Sequence, residues 1–288
     1  MTFLFRPQEY HRPKNLREAT FLLFKLGEKG AVIAGGTDLL IQKPEGIQCI
    51  VDISGLGLDY IKNNEEGFSI GASTPISSVQ AYPFFCTGPY ILLSEAAENL
   101  ATATIRNRAT VGGNLCNASP AADLAVPLLV LDATLIAIGP KGEREIPIDE
   151  FFRDVNITVL SKGEVLKEVR IPSSPKNVGT CFIKLRRHMT AIDIAVVNVA
   201  TCVVCRKGIC EDAKIALGAV APRPIRARSA EALLEKKRVS EQVIEEVSRA
   251  AAADSKPIDD IRASAAYRKL MVEVLVRRAL ENSFRRCI

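Results

Sequence analysis

The chain has 288 residues, 48% of them hydrophobic and 25% charged, a balance that excludes disorder and suits one large domain or two modest ones. The net charge is only +5 and aromatics make up 6%, so a dedicated nucleic-acid surface is not expected. With two histidines in all, His-rich metal centres and a Ser-His-Asp triad are poor explanations of function.

After a short extended lead, Asn15 caps a helix in which Leu16, Ala19, Leu22, Leu23 and Leu26 recur at helical spacing. Gly27 and Gly30 bracket its end. A short strand, Ala31-Val32-Ile33, runs into the turn Ala34-Gly35-Gly36-Thr37-Asp38, and a second strand follows at Cys49 to Ile53. This is a βαβ-like opening. A hairpin is expected between Ile61 and Ile76, where Phe68, Ile70 and Ala72 alternate, and a helix from Ile91 to Ala103. Thr104 to Asp123 reads as a long polar, glycine-bearing loop, and Leu124 to Ile138 as an apolar helix or strand. Glu143 to Ile148 pairs back after the Lys141-Gly142 turn. The run Ile171-Pro172-Ser173-Ser174-Pro175-Lys176-Asn177 has the composition of a connection between domains. Beyond it come strands at Ala195–Val204 and Lys214–Val220, then helices at Ala230–Ala252 and Ala263–Phe284. In the last helix Tyr267, Leu270, Met271, Val274 and Leu275 form an apolar stripe. The layout is α+β with a helical C-terminal part.

No apolar run reaches the roughly 18–20 residues of a membrane span. The best candidate, 124–138, is broken by Pro127, Asp132 and Thr134. The start, Met1 to Pro7, has neither the charged start nor the long apolar core of an export signal. The eight cysteines are therefore expected to be reduced thiols of a cytoplasmic protein. Cys202-Val-Val-Cys205 with Cys210 nearby invites a metal reading, but residues three apart on a strand face opposite ways and no fourth Cys or His is close in sequence. His188 reads as an exposed loop residue and His11 as structural or exposed.

Two segments carry chemistry. In Ala34-Gly35-Gly36-Thr37-Asp38 the glycines allow positive φ and close approach, and successive N–H groups in such a turn can hold an anion. Taken alone, a tight strand-exit turn is the plainer reading, since neither a Walker loop nor a Gly-x-Gly-x-x-Gly fingerprint is present. The second segment, Thr110-Val111-Gly112-Gly113-Asn114 running on to Asp123, joins another glycine pair with short polar side chains and a carboxylate. Thr110 and Asn114 can bond phosphate or sugar, Asp123 can accept from hydroxyls, and Arg106 and Arg108 add positive charge. A long loop of this kind inside a compact domain is usually functional, although an Ω-type loop closed on itself is the alternative. Two such loops suggest a pyrophosphate held between them, in a fold unlike the Rossmann type.

Together, Ala34-Gly35-Gly36-Thr37-Asp38-Leu39-Leu40 and the stretch from Thr104-Ile105-Arg106-Asn107-Arg108 through Cys116-Asn117-Ala118-Ser119-Pro120-Ala121-Ala122-Asp123 closely resemble the FAD-binding medium subunit of molybdenum hydroxylases. This is the family of xanthine dehydrogenase and carbon monoxide dehydrogenase. The resemblance extends over essentially the whole chain. It implies an α+β, two-subdomain FAD-binding domain of the vanillyl-alcohol-oxidase-like (PCMH) type at residues 1–172. A C-terminal domain of small antiparallel sheet and helices would occupy 177–288.

The resemblance also implies roles. Ala34, Gly35, Gly36, Thr37 and Asp38, with Thr110, Val111, Gly112, Gly113 and Asn114, match the two pyrophosphate loops. Asp123 matches a carboxylate that contacts FAD. Leu166 matches an apolar residue packed near the isoalloxazine, and Leu100 lies where one relative has an aromatic near the ring. Lys184 matches a lysine near the flavin, where a cation at the pyrimidine edge would favour the anionic reduced form. Thr37 and Asp38 stand where some relatives have histidine and serine, so the Asp38 carboxylate is expected to point away from phosphate. Cys116 is expected to pack against the cofactor.

The expected function is that of an electron-transfer subunit. It would pass electrons from [2Fe–2S] clusters on a small partner, fed by a molybdopterin centre on a large partner, through FAD to an acceptor such as NAD⁺ or a quinone. No residue of this chain would ligate molybdenum or iron. The assembly would be a dimer of heterotrimers. A stand-alone FAD-dependent oxidoreductase of the same fold is the alternative, and a nucleotide-binding domain that has lost flavin is a third reading.

Overall fold

A computed structural model describes residues 5–188 and 193–287. The sequence reading of the first residues, Met1 to Leu4, lies outside that range. The N-terminal part builds a small parallel sheet in the order Glu9–His11, Cys49–Asp52, Gly30–Ile33. The Asn15 side chain accepts the Glu18 N–H and starts the helix Leu16–Leu26. Its Ala19 and Leu23 bury against Cys49, Val51 and Ile53, and crossing over the sheet it makes the expected βαβ unit.

The next subdomain is a five-stranded antiparallel sheet, in the order Ile61–Asn64, Gly67–Gly71, Val165–Pro172, Thr134–Gly139, Gly142–Pro147. The apolar stretch expected at 124–138 divides into a helix, Ala125–Val130, and a strand. Asp132, at φ +49°, makes the turn between them. The segment expected to be an irregular loop, 104–123, instead carries two short helices, Ala103–Arg106 and Val111–Cys116. Thr102 and Thr110 cap them, each accepting an N–H three residues on. Short polar residues read as loop formers are here N-caps.

The chain leaves the five-stranded sheet at Pro172 and enters a four-stranded antiparallel sheet at Val178. Its order is Val178–Leu185, Val197–Arg206, Ile209–Gly218, Ile225–Arg226. The first of these strands was not anticipated. Alternation divides this sheet between two cores. Phe182, Ala200 and Ala216 join the core under the five-stranded sheet. Cys181, Val197, Val199, Val203, Ile215 and Leu217 pack on the C-terminal helices.

The expected helix 230–252 is two helices, Arg228–Leu234 and Glu241–Asp254, separated by Lys236 at φ +60° and restarted by the Ser240 cap. The stripe expected on the last helix, Ala265–Arg286, is also rotated. Tyr267 and Leu270 are 46% and 55% exposed, while Arg268, Val272, Leu275, Val276, Ala279 and Leu280 are buried. Arg268 can occupy the inner face because its guanidinium donates to Val196 O and Ala219 O at 2.8 Å and to the Asp260 carboxylate at 2.7 Å. Among the described residues no helix is long and apolar enough to cross a membrane.

Candidate functional site

The small parallel sheet, the five-stranded sheet and the first strand of the C-terminal sheet converge on one cavity of about 770 Å³. That lies within the range of about 300–1,000 Å³ usual for small-molecule and cofactor sites. Ala34, Gly35, Gly36, Thr37 and Asp38 line it from one side, Thr110, Gly112, Gly113 and Asn114 from the other, with Asp123, Leu166 and Lys184 between.

The first turn lies against the chain leading into the second. A Cβ on Gly35 would lie 1.9 Å from Arg108 O, and one on Gly112 would lie 2.8 Å from Ala72 O. Backbone therefore meets backbone at both places, which a side chain would prevent. Gln42, from the short helix after the first turn, donates to Asn117 Oδ1 at 2.9 Å and ties the two loops together again.

The turns differ in what they offer. No acceptor among the described residues takes the N–H groups of Gly35, Gly36, Thr37, Asp38 or Leu39. Gly36 sits at φ +74°, the left-handed geometry that lets successive N–H groups converge. The second turn has its donors engaged. Val111 N–H goes to Thr74 O, Gly112 N–H to Ala72 O and Gly113 N–H to Thr110 Oγ1. The reading of both segments as loops that hold a pyrophosphate by their amides is corrected for the second: among the described residues the first turn's amides have no acceptors, while the second offers a glycine floor and the Asn114 side chain. Val111 is the one expected site residue absent from the cavity lining, being buried in the core of the domain.

Charge near the site is also arranged differently from expectation. Arg106 does not face the cavity. Its guanidinium bonds Gln80, Leu100 O and Ala101 O and locks the helix end before the second segment. Arg108 contributes its carbonyl beside Gly35 instead of its charge.

Lys184 is paired. Alternation along Val178–Leu185 puts it on the same face as Phe182, and register puts it opposite Asn198. Its ammonium lies 2.6 Å from Asp123 Oδ2 and 3.0 Å from Asn99 O, and Asn198 Nδ2 donates to Asp123 Oδ1 at 3.1 Å. The side chains are 2% and 8% exposed, so this is a buried ion pair. Burial pushes the Asp123 carboxyl up, and the Lys184 ammonium pulls it back. The lysine expected near the flavin, Lys184, is thus ion-paired with Asp123.

Burial pushes the Asp38 carboxyl up and the Cys116 thiol up to about 12, so Cys116 is a packing residue of the cavity wall. Glu164 lines the same wall, held by two hydrogen bonds from Arg144 at 2.7 and 2.8 Å. Leu100, Leu160 and Ile194 complete its apolar part.

Asn198, Glu164 and Ile194 were missed in the sequence. Asn198 had a signal, an amide in a run of valines on a central strand, since a buried polar group there must find a partner. The other two had none.

Residues 5–174 match the family model described as the FAD binding domain in molybdopterin dehydrogenase. Residues 181–283 match the CO dehydrogenase flavoprotein C-terminal domain. The chain belongs to this family. It is an oxidoreductase subunit of the FAD-binding, medium-chain kind.

Among its relatives, the carbon monoxide dehydrogenase medium chain of Hydrogenophaga pseudoflava is 32% identical, covering 97% of this chain and 98% of that protein. The xanthine dehydrogenase FAD-binding subunit of Escherichia coli O157:H7 is 32% identical over 95% of each. A solved carbon monoxide dehydrogenase from Hydrogenophaga pseudoflava superposes with a TM-score of 0.94 at 31% identity, covering 98% of this chain and 99% of that one. Quinoline 2-oxidoreductase from Pseudomonas putida 86 superposes at 0.89 with 26% identity, over 97% and 98% of the two chains.

The cavity fits the cofactor that this family is named for. Its volume suits a large ligand, and the open amides of the first turn suit a pyrophosphate.

Cys202 and Cys205 face opposite ways on their strand, as their spacing implies. Cys202 packs toward the core of the FAD-binding domain, and Cys205 and Cys210 toward the C-terminal helices. The unforeseen addition is Cys287, whose thiol at the end of the last helix donates to Val203 O at 3.2 Å and Asn177 O at 3.3 Å, close to Cys205, whose own N–H bonds Asn177 O. His188 is exposed.

Proposed function

We propose that this chain is the electron-transfer subunit of a molybdenum hydroxylase. It takes electrons from [2Fe–2S] clusters of a small partner, fed from a molybdopterin centre on a large partner, and delivers them to an external acceptor such as NAD⁺ or a quinone. The observation that carries the reading is the pairing of two glycine turns on one cavity, with the amides of the first turned free.

In this reading Gly35, Gly36 and Thr37 hold the pyrophosphate by main-chain N–H groups. Thr110 and Asn114 stand opposite, and Gly112 and Gly113 give it room. Leu166, Leu100 and Ile194 form the apolar wall for the ring. The Asp123–Lys184 pair closes the inner end as a dipole, not as a free charge. FAD, when bound, supplies the redox chemistry, and the protein holds it, shields it from water and tunes it. Residues 1–172 act as the FAD-binding unit and 177–288 as the unit that closes over its inner end. The assembly is a dimer of heterotrimers in the cytoplasm.

The test is purification of the native complex with metal analysis and an absorption spectrum. Molybdenum, iron and FAD should co-purify with this chain, and reduction by the physiological substrate should bleach the flavin. A chain that copurifies with FAD but with neither partner would overturn the electron-transfer reading and favour the stand-alone oxidoreductase. A chain that does not take up FAD on reconstitution would overturn both.

A further inference from the structure

At the edge of the small parallel sheet, away from the cavity, three potential metal ligands meet. Register sets Glu9 opposite Cys49 and His11 opposite Val51. Alternate residues of a strand share a face, so Glu9, His11 and Cys49 all project to the same side. His11 Nε2 lies 2.8 Å from Glu9 Oε2. One ligand atom from each of Glu9, His11 and Cys49 lies within 4.8 Å of the other two, and among the described residues no other three His, Cys, Asp or Glu side chains come so close. The Glu9 and His11 side chains are 63% and 39% exposed, while Cys49 is 1% exposed. A solvent-facing entrance thus leads to a shielded sulfur.

We infer that Glu9, His11 and Cys49 form a binding site for one divalent cation of the zinc class. An imidazole nitrogen, a sulfur and a carboxylate oxygen are the donor set that zinc accepts, whereas calcium and magnesium call for oxygen alone. Bond lengths of about 2.0–2.3 Å put the ligand atoms of a tetrahedral site about 3.3–3.7 Å apart. The imidazole and carboxylate, now 2.8 Å apart, therefore separate by about half an ångström, and the sulfur, within 4.8 Å of both, closes by about 1.5 Å at most. A thiolate and a carboxylate together balance the 2+ charge, and three protein ligands leave one position for water.

The site has a structural consequence. The opposite face of the same edge strand is already fastened, because Tyr10 donates to Asp52 Oδ2 at 2.5 Å and Arg12 lies 3.3 Å from the same oxygen. A cation on the Glu9–His11 face fastens the strand on both sides. It stiffens the sheet whose far edge, Gly30–Ile33, leads directly into the Ala34–Asp38 turn.

The experiment is a titration of the purified full chain with Zn²⁺, followed by calorimetry and by X-ray absorption at the zinc edge, which flavin, iron and molybdenum do not obscure. One zinc per chain is expected, with one sulfur neighbour at about 2.3 Å and nitrogen or oxygen neighbours at about 2.0–2.2 Å. The thermal midpoint should rise with zinc. Cys49→Ala should remove the sulfur neighbour. Glu9→Gln and His11→Gln, at exposed positions that tolerate change, should each weaken binding by about tenfold or more. Absence of stoichiometric binding, or unchanged affinity in both exposed variants, overturns the site. So does a sulfur neighbour that survives Cys49→Ala and disappears in Cys205→Ala, which would move the metal to the Cys205–Cys210–Cys287 thiols.

Discussion

The two glycine turns look alike in sequence but are hydrogen-bonded differently. At Ala34–Asp38 the chain leaves a strand and turns with Gly36 at positive φ, lining the cavity, and among the described residues its amides have no acceptors. At Thr110–Asn114 the chain enters a helix, and its amides are bonded to Ala72, Thr74 and the Thr110 hydroxyl. In the first turn Gly36 serves by its dihedral freedom and Gly35 by its missing Cβ, which lets Arg108 O approach; in the second Gly112 serves by its missing Cβ, which lets the helix lie against Ala72. On the function proposed above, the first turn holds the anion and the second is the scaffold. Changes in the first should register mainly in FAD retention, and changes on the scaffold side mainly in folding stability.

The largest effect is expected at the inner end of the scaffold. Asp123→Ala leaves the Lys184 ammonium buried without a counter-ion and should cost about 3–5 kcal/mol of stability. The double change Asp123→Leu with Lys184→Met should restore most of it, as denaturant melts of the FAD-loaded chain will measure. A double variant as unstable as the single would refute the buried-pair account.

Next comes Gly36→Ala. A side chain at φ +74° is strained by about 1–2 kcal/mol and moves the amides apart. FAD should then dissociate about tenfold more readily, a loss visible as recovered flavin fluorescence. Thr110→Val should remove about 0.5–2 kcal/mol of helix capping while leaving FAD affinity nearly as it was. If it loses FAD as readily as Gly36→Ala, the division of labour between the turns is wrong.

The smallest effect is on pH. Two hydrogen bonds from Arg144 hold the Glu164 carboxyl below its ordinary range. A depressed carboxyl contributes stability that is complete above its unfolded-state pKa and disappears as pH falls through the folded-state value. Glu164→Gln should therefore lower stability at neutral pH, by less than about 1 kcal/mol because Arg144 is 42% exposed. The gap from wild type should close on acidification. A gap that widens in acid would contradict the assignment.

Much of the site could be read without coordinates, for a definite reason. The glycine turns, Asp123 and the strand-to-turn junction at Ile33–Ala34 are local features, written in contiguous residues whose backbone demands few other residues satisfy. Helix starts at Asn15 and the α+β layout are local in the same sense. What the sequence could not reveal depends on partners far along the chain. The engagement of the second turn's amides required Ala72 and Thr74. The fate of Arg106 required Gln80 and two carbonyls. The rotation of the last helix required Val196, Ala219 and Asp260 to accept a buried guanidinium, and Cys287 had to arrive beside Cys205 from the far terminus. Local conformational preference and hydrophobic period are properties of neighbours in sequence, whereas the pairing of buried donors, acceptors and charges is decided only when distant segments close around them.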